Sequence, residues 1–251
     1  MRALLAAFLI AAVPLSILAE RPVPDSQQES KTGDITPIFY SSLRSSVPTF
    51  LSADVTILPD GQLNTDLMDD RARFVMNSIL SAHQEGCVEI EENWIDRVNP
   101  PDRSSLGKAV GTSALILEGR VVGRDYGFYQ GYVPGQLLEI ETEEVLRGNA
   151  LAKHFIFVPI GTFTAGPYTF CKTDSRLPEP PDLGDRVLLL IHRLLGPEEP
   201  FLDLYDDSSL IVLPEQGAAR LPASLRTVDA PGLTRADLLS EVKRELRGQE
   251  N

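Results

Sequence analysis

GTSALILEGRVVG (residues 111–123) is followed by a glycine- and tyrosine-rich segment, RDYGFYQGYVPG (124–135), and then by QLLEIETEEVLRGN (136–149). The first stretch is dense in apolar and β-branched residues, which favour strand. The third alternates Leu138, Ile140 and Thr142 against Glu139, Glu141 and Glu143. A period of two puts one face in a core and the other in water. The three segments therefore read as two strands joined by a turn-rich loop. Gly119 inside the first run marks a bulge or sharp bend.

The same reading extends outward. KHFIFVPIG (153–161) alternates Phe155 and Phe157 against Ile156 and Val158. GDRVLLLIHRL (184–194) is apolar on both faces, as a central strand must be. SSLIVLP (208–214) completes the set. Between them, FTAGPYTFCKTDSRLPEPPDLGD (163–185) holds so many turn formers that it reads as a long irregular excursion. The expectation is a mainly β fold with flanking helices. Its centre is a five-stranded OB-like antiparallel barrel over residues 109–215.

Residues 35–108 read as a helix-containing segment packed on that barrel. In NTDLMDDRARFVMNSILSAH (64–83), Leu67, Val75 and Ile79 recur at helical spacing, with Phe74, Met76 and Leu80 widening the stripe. This predicts a helix over 66–83, capped by Asn64 or Thr65. CVEIEENWIDRV (87–98) reads as an edge strand running into a helical turn, and NPPDRSSLGK (99–108) as a loop. Residues 216–251 are a linker and a terminal amphipathic helix. Thr234 precedes Asp237 by three, a capping pattern, and Leu238, Leu239, Val242 and Leu246 form its stripe.

The chain begins MRALLAAFLIAAVPLSILA (1–19), one Arg followed by an apolar run that ends in a small residue. This is the pattern of a secretory signal peptide. An uncleaved anchor is the alternative, disfavoured by the short run and Pro14. Residues 20–34 read as a flexible linker. The formal net charge is −13. Nucleic-acid and anionic-membrane binding need a Lys/Arg surplus, so neither partner is expected. The expected location is outside the cytoplasm, periplasmic or secreted, with no membrane span once the leader is removed. Cys87 and Cys171 are the only cysteines. In an exported chain they suggest one disulfide, two buried thiols being the alternative.

Chemistry-bearing motifs are sparse. His83, His154 and His192 form no ligand pair at helical spacing. His154 and His192 both fall on expected strands, which leaves room for them to be neighbours. No nucleophile elbow, S-x-x-K or P-loop occurs. The acidic group Asp66, Asp69 and Asp70 reads as a helix start. Asp203, Asp206 and Asp207 read as a solvated hairpin tip, with a weak calcium loop as the alternative. No catalytic residue, metal or cofactor is assigned. The surface candidate is the aromatic loop: Tyr126, Phe128, Tyr129 and Tyr132 lie within seven residues, among glycines. Such loops suit protein or glycan contact, while the alternative folds the rings back over the barrel mouth.

Two motifs carry a family resemblance. Val145-Leu146-Arg147-Gly148 closes a strand, and GDRVLLL spans residues 184–190. With the order of the surrounding strands, they resemble tissue inhibitors of metalloproteinases and netrin C-terminal modules. That resemblance implies an OB-type five-stranded barrel and a binding style. The inhibitors use an N-terminal cysteine, and ERPVPDS after residue 19 has none, so no inhibitory residue is carried over. The functional expectation is an exported non-catalytic binding protein. The alternatives are an exported hydrolase with a carboxylate or His site, and a structural part of a cell-envelope assembly.

Overall fold

The computed structural model describes residues 50–82, 86–89, 103–159, 161–172, 178–196, 199–204, 207–225 and 232–249. In chain order its elements are β1 (Phe50–Ser52), α1 (Ala53–Thr56), α2 (Asp70–Ala82), β2 (Cys87–Glu89), α3 (Leu106–Gly111), β3 (Leu115–Tyr129) and β4 (Val133–Arg147). They continue with β5 (Lys153–Val158), β6 (Gly161–Ala165), β7 (Tyr168–Lys172), β8 (Arg186–Ile191), β9 (Phe201–Leu202), β10 (Leu210–Leu213) and α4 (Arg235–Gln249). The expected leader, the linker, His83 and the helical turn at Trp94 and Ile95 lie outside the described residues.

Most of the segment expected as a loop is strand. β3 and β4 pair antiparallel from Ile116↔Arg147 to Tyr129↔Val133. Only Gln130, Gly131 and Tyr132 turn. Gln130 has φ 51° and Gly131 φ 78°, and the Tyr132 N–H donates to the Tyr129 carbonyl at 3.2 Å. Two successive positive φ values give a hairpin turn whose twist matches its strands. The other glycines serve a different need. A Cβ at Gly127 would strike the Leu51 carbonyl, and one at Gly135 would crowd the Val158 carbonyl. They let β1 and β5 come close, which is what glycine inside a strand often marks. At Gly119 the ladder shifts register, as that residue predicted.

The five-stranded barrel is not formed. β3 and β4 belong to a seven-stranded sheet of order β10-β8-β3-β4-β5-β9, with β1 added on β3. The hairpin strands are each 15 residues long, enough to take a different partner along each half. β3 pairs with β8 near its start and with β1 near its end. Among the described residues no ladder joins the edges β9 and β10, so the sheet is open. It does curl. Laid flat, six strands would separate the edges by about 24 Å, and only residues 203–209 connect them, partly as a helical turn. Side chains from both edges, Leu202 and Leu210, share one buried cluster with Leu117, Leu138, Ile156 and Leu189.

The long excursion is also more regular than expected. β6 and β7 form a hairpin, and β2 lies parallel to β7, giving a second sheet of order β2-β7-β6. The Cys87–Cys171 disulfide is present, with Cα atoms 5.7 Å apart. It ties the three-residue β2 to β7. This sheet, α2 and the far half of the hairpin enclose an aromatic core of Phe50, Phe128, Phe157, Phe163, Phe170 and Phe201.

α2 and α4 follow their expected patterns with two corrections, whereas α1 was not expected and α3 begins inside the stretch read as a loop. α2 starts at Asp70 rather than 66, because the side chain of Asp69, not Asn64 or Thr65, caps it by accepting from the Ala72 N–H at 2.7 Å. Residues 65–67 form a separate 3₁₀ turn. Phe74, expected on the buried stripe, is 74 % exposed. α4 has the reciprocal cap: the Thr234 N–H donates to Asp237 Oδ2 at 3.2 Å, and the Asp237 N–H to Thr234 Oγ1 at 3.3 Å. Leu238, Leu239 and Val242 are buried, and α4 packs with α3 on the sheet face that carries Ile116, Leu188, Leu190 and Ile211.

Candidate functional site

β3 carries three of the four aromatic candidates, and Tyr132 lies in the turn that follows it. Phe128 is 0 % exposed and meets Phe170 edge-on at 4.8 Å. Tyr132 is 7 % exposed. Tyr126 and Tyr129 are half-buried. Tyr126 stacks on Phe163 at 5.7 Å and accepts a hydrogen bond from Arg124 at 3.2 Å. Tyr129 stacks on Phe157 at 4.9 Å and on Phe201 at 6.2 Å. The structure brings all four to one end of the hairpin, with their rings turned mainly inward.

What faces water there comes from a neighbour the sequence did not place. The turn at Gly131 sits against Ala72 and Met68, at the start of α2. One residue before Ala72, the Arg71 guanidinium lies 5.6 Å from the Tyr132 ring centre. That is within cation–π range. Phe74 follows Arg71 by three, on the same helix face. The surface is thus a guanidinium stacked on a tyrosine, beside an exposed phenyl ring.

On the other side of β3, the Ser52 hydroxyl donates to Asp125 Oδ1 at 3.1 Å. Burial pushes the Asp125 carboxyl above the ordinary aspartate value. The bonds from Ser52 and the Tyr126 backbone oppose this, and nearby Asp54 adds to it.

A second charged group was not foreseen. Glu118 is 0 % exposed inside the apolar run of β3. Arg235, at the start of α4, clamps it with two bonds, Nε to Oε1 at 2.5 Å and Nη2 to Oε2 at 2.8 Å. Arg186 reaches toward Glu118 at 3.8 Å and pairs with Glu143 at 2.6 Å, and Arg120 meets Glu143 at 2.8 Å. Burial alone would raise the Glu143 carboxyl, but Arg186 and Arg120 outweigh it and hold it below the usual range. Lys243 pairs with Glu144 at 2.8 Å. The signal for this group was a lone carboxylate in a continuous apolar strand, which requires a cationic partner. Nothing local told which arginine, 117 residues away, would supply it.

His154 lies on β5 and His192 directly follows β8, with β3 and β4 between those two strands in the sheet. His154 accepts from the Leu151 N–H at 3.0 Å through Nε2, and its Nδ1 lies 3.3 Å from the Pro200 carbonyl. Burial pushes its pKa below the ordinary histidine value, with the Pro200 bond opposing. His192 Nδ1 donates to the Thr112 carbonyl at 2.7 Å. Among the described residues no three His, Cys, Asp or Glu side chains converge as a metal would require. Asp206 and the side chain of Asp207 lie outside them.

Fold and site together define a disulfide-linked, two-sheet β domain with a helix-backed hairpin end. No family model, no curated protein and no solved structure matches the chain.

Proposed function

We propose that this chain is an exported, non-catalytic binding protein that meets a protein or glycan partner at the turn of the β3–β4 hairpin and the α2 face beside it. The observation that carries the reading is the exposed Phe74, one helical turn from the Arg71–Tyr132 stack. An exposed aromatic ring next to a stacked guanidinium offers area, a cation and hydrogen-bond donors on a rigid support. The leader-like residues 1–19 and the Cys87–Cys171 disulfide support export.

The test is site-specific photocrosslinking in the exported fraction of the native source. A photoreactive phenylalanine analogue replaces Phe74, and a second variant carries it at exposed Ser240 on α4. A discrete adduct is expected at position 74, absent at 240, and lost when Arg71→Glu is added. No adduct at 74, or equal adducts at both positions, contradicts the reading.

A further inference from the structure

β9 is the weakest edge of the large sheet. It has two residues and joins β5 in parallel at Phe155↔Phe201 and Ile156↔Leu202. So short a ladder holds few hydrogen bonds. Yet Phe201 and Leu202 are buried, and Phe201 stacks on Tyr129 at the hairpin end. Something besides the ladder must retain them, and His154 is placed to do so. Its side chain is 2 % exposed. The Pro200 carbonyl accepts from the Phe155 N–H at 2.8 Å and from His154 Nδ1 at 3.3 Å. The other ring nitrogen, Nε2, accepts from the Leu151 N–H. In the turn that leads into β5, the Leu151 carbonyl accepts from Thr142 Oγ1 at 2.7 Å. One ring thus bridges the β4–β5 turn and the start of β9.

The bridge works in one protonation state. A neutral imidazole with its proton on Nδ1 donates to Pro200 and accepts from Leu151. A second proton would sit on Nε2 of this 2 % exposed residue, facing the Leu151 N–H donor. The ring must then turn out to reach water, and in doing so it leaves Pro200 as well. We infer that His154 is a proton-operated clip: its protonation breaks the Leu151 bond and releases the β9 edge, residues 199–204, together with the 148–152 turn.

The groups facing this site do not duplicate the response. On β4 the residue opposite His154 is Ile140, flanked by Glu139, paired with Lys153 at 2.5 Å, and Glu141. On the β9 side, Glu199 accepts from the Phe201 N–H, and Asp203 follows the strand. The 148–152 turn has no titratable side chain, and Arg147 before it is bonded to the Val110 carbonyl at 2.6 Å. The His154→Gln comparison below separates the histidine's response from that of these groups. The sign is consistent with the direction of its shift. The folded pKa lies below the unfolded value, so the unfolded or opened chain binds more protons as pH falls below about 6.5, and the closed edge loses stability.

Hydrogen exchange on the full chain, corrected for the intrinsic pH dependence of amide exchange, tests this directly. Between pH 7.5 and 5, protection of residues 199–204 and 148–152 is expected to fall at least tenfold, while β3 and β8 keep theirs. In His154→Gln, whose amide both donates and accepts without titrating, that fall should vanish. An NMR titration of the His154 ring in the unmodified chain guards against a misfolded variant. The ring should be an Nδ1–H tautomer at pH 7.5, and its protonation should coincide with loss of protection. Protonation with the β9 amides still protected, or an equal fall in His154→Gln, overturns the inference. Neither readout involves the proposed partner, so this result and the crosslinking result stand separately.

Discussion

Replacing Cys87 and Cys171 by serine is expected to lower the unfolding free energy by about 4–5 kcal/mol, by the chain-entropy relation for a loop of this length. The two cysteines are 84 residues apart in sequence, and their bond closes α3, the whole β3–β4 hairpin and β5 into one ring. In the unfolded chain that ring removes many conformations. The folded state adds a local reason. β2 is three residues long and, among the described residues, pairs only with β7, yet it places Val88 in the aromatic core against the side chains of the hairpin end. Urea unfolding of the disulfide-bonded protein and the double serine variant measures the difference. A change below about 1 kcal/mol would mean that the unfolded chain is already restricted without the link.

Arg235→Ala should destabilise by about 3 kcal/mol or more, the cost of leaving a buried charge without its partner. Glu118 has no exposure, and Arg235 supplies both of its shortest contacts. Arg186 at 3.8 Å moderates the loss without replacing the two-bond geometry. The effect should be directional. Arg235 is itself 46 % exposed, so removing the carboxylate instead leaves an arginine that water can solvate. Glu118→Leu should therefore cost less, and Glu118→Leu with Arg235→Ala should recover most of the loss, since leucine suits the apolar surroundings of Ile116 and Leu188. A double variant no more stable than Arg235→Ala alone would show that the charge pair is not what fastens α4 to the sheet.

The legible parts of this fold were those set by neighbours in sequence. Alternation along residues 136–141 and 153–158 located β4 and β5. The Thr234–Asp237 cap located α4 to within a residue, and Gly119 announced its bulge. The barrel failed because closure is a long-range property. The glycines at 127 and 135 were read for their freedom to turn, when their use is to let β1 and β5 approach. That distinction depends on β1, a three-residue strand whose apolar pair carries no periodic signal of its own. Within the candidate site, the aromatic cluster was visible, but its direction was not. A strand of alternating Tyr126, Phe128 and Tyr129 shows which rings share a side without showing which side is the core. Phe74 misled in the opposite sense, because a stripe widened by one position on a helix crosses from the buried face to the wet one.

The hairpin aromatics turn inward, and Phe74 stands outward from α2. Hydroxyl-radical footprinting of the intact protein, read residue by residue by mass spectrometry, measures that arrangement directly. Phe74 should be oxidised at close to the rate of a free phenylalanine, Tyr126 and Tyr129 more slowly, and Phe128 least of all, with Tyr132 nearly as protected. Rapid oxidation of Phe128 and Tyr132 with Phe74 protected would contradict the account, because the hairpin end would then be an open aromatic loop and α2 part of the core.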